Sequence, residues 1–235
     1  MPVYIIIGTH RTACRELIAQ AGNYDLDDLL PEPWQEVHGA DQLWPADGTP
    51  PEPAATLFCY LDPAKDLADE IETVQEWSRQ SGNAIDRVIG VVDSAAAEKS
   101  AAYARWVEAC AHFSDALVWA NRETVSQKWL RAFQKQFDKL CFPCSYHLLK
   151  KGGRVDDPRL LFFPEARRLS KAFDPAEPTK DDDGPISPLD LIEIDASFDL
   201  DDADSDTEVE DYWLARHESG HRRQRLPDIQ AWIVD

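Results

Sequence analysis

Val3-Tyr4-Ile5-Ile6-Ile7-Gly8-Thr9-His10-Arg11-Thr12-Ala13-Cys14-Arg15 is the stretch whose reading decides the fold. An apolar run rich in β-branched residues ends at Gly8. A helical pattern follows, with Cys14, Leu17, Ile18 and Ala21 recurring on one face of a helix expected over Arg11 to Ala21. A buried strand that turns directly into a helix opens a doubly wound α/β domain. The turn after such a strand is where many of these folds hold anions, because the first amides of the helix point outward there.

The same alternation continues along the chain. Ala55 to Leu61, Arg87 to Asp93, Ala116 to Ala120 and Cys144 to Leu149 read as strands, and a short strand is expected around Glu36 to His38. The near-continuous apolar runs suit strands covered on both faces. Helices are expected over Ala64 to Gln80, closed by Gly82 and Asn83, and from an N-cap at Ser94 to about Ala111. Others are expected over Ser126 to Leu140, and over Leu160 to Phe173 with an interruption near Pro164. Asn23 to Pro53, rich in Pro, Asp and Gly, reads as a long excursion ordered by Trp34, Leu43 and Trp44. The fold class expected is α/β, with a mainly parallel doubly wound sheet of the P-loop type in residues 1–174.

Residues 175–235 differ in character. Pro175, Pro178, Pro185 and Pro188 mark a linker, and Asp181 to Asp211 holds fourteen acidic residues and no basic one. Arg216, Arg222, Arg223 and Arg225 then cluster. A like-charge block stays solvated, but Phe198, Tyr212, Trp213, Leu214, Ile229, Trp232 and Ile233 are too apolar for a wholly dissolved tail. Pieces of this extension are expected to dock on the sheet domain, with the acidic block free to pair with the arginines or with a basic partner surface.

Composition narrows the function classes. The 235 residues carry a formal net charge of −20, which opposes non-specific binding to nucleic acid or anionic membrane. No apolar run approaches the roughly 20 residues a membrane helix needs, and the first apolar run is too short for a signal peptide. Cys14, Cys59, Cys110, Cys141 and Cys144 are odd in number and scattered, which suits reduced thiols and a cytoplasmic location.

Three stretches carry a family resemblance. Leu61-Asp62-Pro63-Ala64 follows a strand. Ile85-Asp86-Arg87-Val88-Ile89-Gly90-Val91-Val92-Asp93-Ser94 is a core strand ending in Val-Val-Asp. Phe113-Ser114-Asp115-Ala116-Leu117-Val118-Trp119-Ala120-Asn121-Arg122 precedes Val125-Ser126. In order and spacing, residues 3–150 resemble the CobW-type branch of the P-loop GTPases, which includes metallochaperones. The resemblance implies a nucleotide site at Gly8, Thr9, His10, Arg11 and Thr12, with Asp93 near magnesium and Asn121 and Arg122 in the segment that reads guanine.

The departures from that pattern bear on chemistry. A phosphate loop reads G-x-x-x-x-G-K-[ST]. With Gly8 as its first glycine, Ala13, Cys14 and Arg15 stand where the second glycine, the lysine and the hydroxyl residue belong. Phosphate charge then lacks its ammonium partner and magnesium lacks a ligand. Glu123 and Thr124 occupy the region of the base-reading aspartate, and no Cys-x-Cys-Cys motif is present. These losses favour a non-catalytic protein-binding or regulatory module that needs no cofactor. A nucleotide-binding protein or weak GTPase, using His10, Arg11 and Arg15 on phosphate, is the second reading.

Other constellations carry weaker chemistry. Cys141, Cys144 and His147 offer three metal ligands, the basis of a third, metal-handling reading, although one C-x-x-C without a second pair is more often structural. His217-Glu218-Ser219-Gly220-His221 spells H-E-x-x-H, but Gly220 weakens the helix that a zinc protease needs; Glu208 or Glu210 would have to supply a third ligand. The acidic run Asp199 to Asp206 fits no register of a calcium loop, which wants glycine sixth and glutamate twelfth.

Overall fold

A computed structural model of the protein describes residues 1–21, 30–44, 55–139, 144–151, 153–163, 173 and 211–234. Six parallel strands form one sheet in the order β2-β3-β1-β4-β5-β6. The strands are β1 (Val3–Gly8), β2 (Trp34–His38), β3 (Thr56–Tyr60), β4 (Arg87–Asp93), β5 (Ala116–Ala120) and β6 (Ser145–Leu148). Helix α1 (Arg11–Ala21) links β1 to the excursion before β2, and α2 (Leu67–Ser81) links β3 to β4. Helices α3 (Ser94–Lys99) and α4 (Ala101–Phe113) link β4 to β5, and α5 (Gln127–Lys139) links β5 to β6. The short α6 (Arg159–Phe162) follows β6. The architecture is a parallel α/β fold consistent with the P-loop type. Among the described residues, no helix is long and apolar enough to cross a membrane.

The layering follows from the period of two in a strand. Val3, Ile5 and Ile7 of β1 enter one core with Leu67, Ile71, Val107, Trp119 and Phe137. Tyr4 and Ile6 enter a second core with Leu17, Ile18, Phe58, Val118 and Phe162. Helices α2 to α5 therefore cover one face of the sheet, and α1 and α6 the other. Every residue of β1 is buried, as a central strand between β3 and β4 must be.

Local chemistry sets the element ends. Asp66 Oδ1 accepts the Ala68 amide at 2.8 Å to start α2, and Gly82, with φ of 70°, ends it in the left-handed region open to glycine. The expected N-cap at Ser94 is one residue late: Asp93 Oδ1 accepts the Ala96 amide at 2.9 Å. A carboxylate at this helix start also complements the axial dipole. The single helix expected to Ala111 is two, because Ser100 is extended (φ −131°) and its Oγ caps α4 through the Tyr103 amide at 3.2 Å. The helix expected over Leu160 to Phe173 is described only as Arg159–Phe162; residues 164–172 lie outside the described set. Its carbonyls are held from β4, where the buried Arg87 donates to Leu160 and Leu161 oxygens, each at 3.2 Å.

Gly8 is required by close packing. A Cβ there would lie 2.6 Å from Cys14 Sγ and 3.0 Å from the Val91 carbonyl of β4. The absent side chain lets α1 and β4 approach the end of β1. Gly8→Ala is expected to lower stability by roughly 1–3 kcal/mol, read as a lower urea midpoint with an unchanged slope. The loss should shrink in a Cys14→Ala background, because the nearest clashing atom is then gone.

Candidate functional site

The residues expected around a nucleotide converge on the carboxyl edge of β1, β4 and β5, but they bind one another. Thr9, 1% exposed, places Oγ1 2.8 Å from the Tyr103 hydroxyl. That hydroxyl accepts the Asp93 amide at 3.1 Å. Asp93 spends Oδ1 on the cap of α3 and Oδ2 on the Asn121 side-chain amide, 2.7 Å away. Asn121 is left-handed, with φ of 52°, a region that asparagine tolerates better than most residues. Its carbonyl accepts the Thr124 hydroxyl at 2.8 Å and anchors the turn Arg122–Thr124. Burial pushes the Tyr103 hydroxyl well above the usual phenol range, so it stays a neutral link.

The turn itself is closed by the C-terminal segment. Val234 pairs in parallel with His10. The Val234 amide donates to the Thr9 carbonyl at 2.8 Å, and its carbonyl accepts the Arg11 amide at 2.9 Å. His10 Nδ1 accepts the Ala13 amide at 3.1 Å, and the His10 carbonyl accepts the Cys14 amide at 3.1 Å. The Cys14 bond is the first bond of the helix itself; the Arg11 and Ala13 amides, which an anion-binding helix would leave to a ligand, meet Val234 and the His10 ring instead. Thr12 and Arg11 lie exposed on the first turn of α1. Cys14, at the lysine position, is buried, and burial pushes its thiol up to about 12, so that position carries no positive charge.

Residues 211–234 reach this turn by docking along the α2–α4 face, as expected of parts of the extension. Trp213 is fully buried and Ile229 nearly so in the core beneath α4. Trp232 lies 5.9 Å from the Tyr103 ring, which ties the segment to the Thr9–Asp93 network. Arg105 stacks over Trp213 at 4.5 Å and donates to the Tyr212 hydroxyl at 3.1 Å. Arg222, 7% exposed at its side chain, and Arg216 pair with Asp69 and Glu72 of α2 at 2.6–3.5 Å. Residues 181–210, which include most of the acidic block expected to pair with the arginines or with a partner, lie outside the described set. Ion pairs whose carboxylates reach solvent, as Asp69 and Glu72 do, contribute about 0–1 kcal/mol each, whereas burying a tryptophan is worth several times that. Apolar burial therefore holds the segment down and the ion pairs set its register.

Among the described residues, the metal candidates do not come together. Cys144 packs with Tyr146 and Leu148 toward one core. His147 is the intervening residue and faces the other side of β6, donating to or accepting from Ser145 Oγ at 2.9 Å. Burial first, and then the charge of Arg87, hold the His147 ring below its usual pKa. Cys141 lies outside the described residues. His217 to His221 form a hairpin, with the His217 amide on the His221 carbonyl at 2.8 Å and Gly220 at φ of 81°, so the two rings never share a helix face. Among the described residues, no three His, Cys, Asp or Glu side chains are grouped to hold a metal.

A cleft of about 260 Å³ remains on the other side of β1. It is lined by Ile6, Arg11, Arg15, Tyr60, Leu61 and Asp62, among others. Tyr103, Val234 and the His112–Asp211 pair escaped sequence reading. Only Tyr103 left a local signal, as the third residue after the Ser100 cap. Comparison with protein-family models, with curated proteins and with solved structures returned no match for the chain.

Docking of the segment has a pH signature. Burial raises the Asp211 carboxyl, but the His112 ring at 2.7 Å and the Trp213 and Leu214 amides outweigh it and hold the pKa below the usual value. A depressed carboxylate contributes stability above its unfolded pKa, about 3.9, and loses it as pH falls through the folded one. Asp211→Asn should therefore cost roughly 1–3 kcal/mol at neutral pH and flatten the fall of stability at acid pH. Trp213→Ala should cost about 3–5 kcal/mol at all pH values, both read by urea denaturation.

Proposed function

We propose that the protein is a non-catalytic, degenerate P-loop-type module, of distant CobW-type ancestry, that acts in the cytoplasm by binding or regulating a protein partner. The observation that carries this reading is the pairing of Val234 with Thr9 and Arg11. In a phosphate-binding turn the amides at this helix start face the triphosphate. Here a peptide group of the chain takes that place, and Asp93, which would serve magnesium, caps α3 and holds Asn121. Triphosphate binding would have to displace a segment anchored by Trp213, and no lysine or hydroxyl residue would compensate. The partner that suits a chain of net charge −20 carries a basic surface. The carboxyl edge, with its docked segment, is the surface on which regulation would act.

Titration with fluorescently labelled GTP and ATP in the presence of Mg²⁺ tests the reading. The expected result is no binding in the micromolar range and no phosphate release above the rate without protein. Micromolar, Mg²⁺-dependent binding that is lost on Arg11→Ala would overturn it in favour of a nucleotide-binding protein.

A further inference from the structure

The carboxyl edge of a doubly wound sheet opens where neighbouring strands send their connections to opposite faces. β1 leads to α1 on one face, whereas β3 and β4 lead to α2 and α3 on the other. A crevice therefore flanks Gly8 on each side. The β1/β4 crevice is filled by Thr9, Tyr103, Asp93 and Trp232. The β1/β3 crevice is the cleft of about 260 Å³.

Its walls are of two kinds. Arg11 and Arg15, one turn apart on α1, line one side. Ile6, Tyr60, Leu61 and Pro63 line the other. The Tyr60 ring is oriented by His38, stacked on it at 5.0 Å, and by Glu36, which accepts its hydroxyl at 3.4 Å. The Leu61–Asp62 wall is fixed as well. The Leu61 amide donates to the Ile6 carbonyl at 2.9 Å and the Asp62 amide to the buried Glu70 carboxylate at 3.0 Å.

We propose that this cleft binds a small, single-ring phosphomonoester. Its phosphate lies between Arg11 and Arg15, and its ring rests on Tyr60, Leu61 and Pro63. Guanidinium forks match phosphate oxygens in pairs. Two arginines against one carboxylate, Asp62, give the cleft a net positive lining in an otherwise acidic chain, which favours anions. Asp62 stands 3.8 Å from Arg11 across partly exposed surface, and a pair so placed contributes little. The anion is held by side chains and not by the helix end, whose amides go to His10 and Val234. The volume falls just under the low end of ligand pockets, about 300 Å³, which suits one ring with one phosphate and excludes a nucleoside triphosphate. The inference goes beyond the module reading, because it concerns the crevice that the C-terminal segment leaves open.

Calorimetric titration of the full chain with phenyl phosphate, inorganic phosphate and benzoate tests it. Phenyl phosphate should bind roughly tenfold tighter than either of the others, and Arg15→Gln should weaken it roughly tenfold. Arg79→Gln, exposed on α2 away from the cleft, should change nothing. Amide shifts at Gly8 and Leu61 should follow the titration. Absence of binding at millimolar phenyl phosphate would overturn the proposal, as would equal affinity for benzoate. So would an unchanged affinity in Arg15→Gln, or equal weakening by Arg79→Gln.

Discussion

The first amides of a helix that starts at the end of a buried strand need partners, because the helix itself cannot supply them. In this protein the need is met from within. The His10 ring takes the Ala13 amide and the Val234 carbonyl takes that of Arg11. That one constraint connects the N-terminal turn to the last described residues. It explains why a strand-turn-helix with the outline of a phosphate site has no open amide at Arg11 or Ala13. The nearby polar residues Thr9, Tyr103, Asp93 and Asn121 likewise satisfy one another, with Thr9 and Tyr103 buried.

The closure is sustained by apolar packing more than by charge. Trp213 and Ile229 sit in the same core as Trp106, Val107 and Cys110 of α4, so residues 211–234 complete the layer that α2 to α5 begin. The ion pairs of Arg216 and Arg222 with Asp69 and Glu72 lie nearer the surface and select one placement among many of similar apolar content. Buried polar groups with few partners are costly. The Thr9–Tyr103 link, fully buried, would lose part of its cover if the segment left. Occupation of the β1/β4 crevice and openness of the β1/β3 crevice are thus two outcomes of one topology.

Much of the fold is legible in the sequence because it is local. The run Val3 to Ile7, the apolar spacing of α2 and the stop at Gly82 depend only on neighbours in the chain, and the structure follows them within a few residues. Errors arise where two equivalent local solutions stand side by side. Asp93 and Ser94 are both good caps; the structure uses Asp93, whose other oxygen is held by Asn121, 28 residues on. Ser100 inside an alanine-rich run reads as helix, although its hydroxyl prefers to start one. The site was legible as a set of positions and illegible as a function. Val234 lies more than 200 residues from Thr9, and nothing in the period or composition of the tail announces that pairing. His217 to His221 show the converse: a motif whose spacing is chemical only on a helix is folded as a hairpin by Gly220.

The most direct measurement is residue-resolved amide hydrogen exchange by NMR on the intact chain, at Arg11 and Val234. If the Val234 peptide closes the turn, both amides exchange together, slowed by roughly a hundredfold or more relative to an open chain. Val234→Pro, which removes the donor to Thr9, should release Arg11. Exchange of the Arg11 amide at the open-chain rate in the unmodified protein would contradict closure and leave the turn available to a ligand.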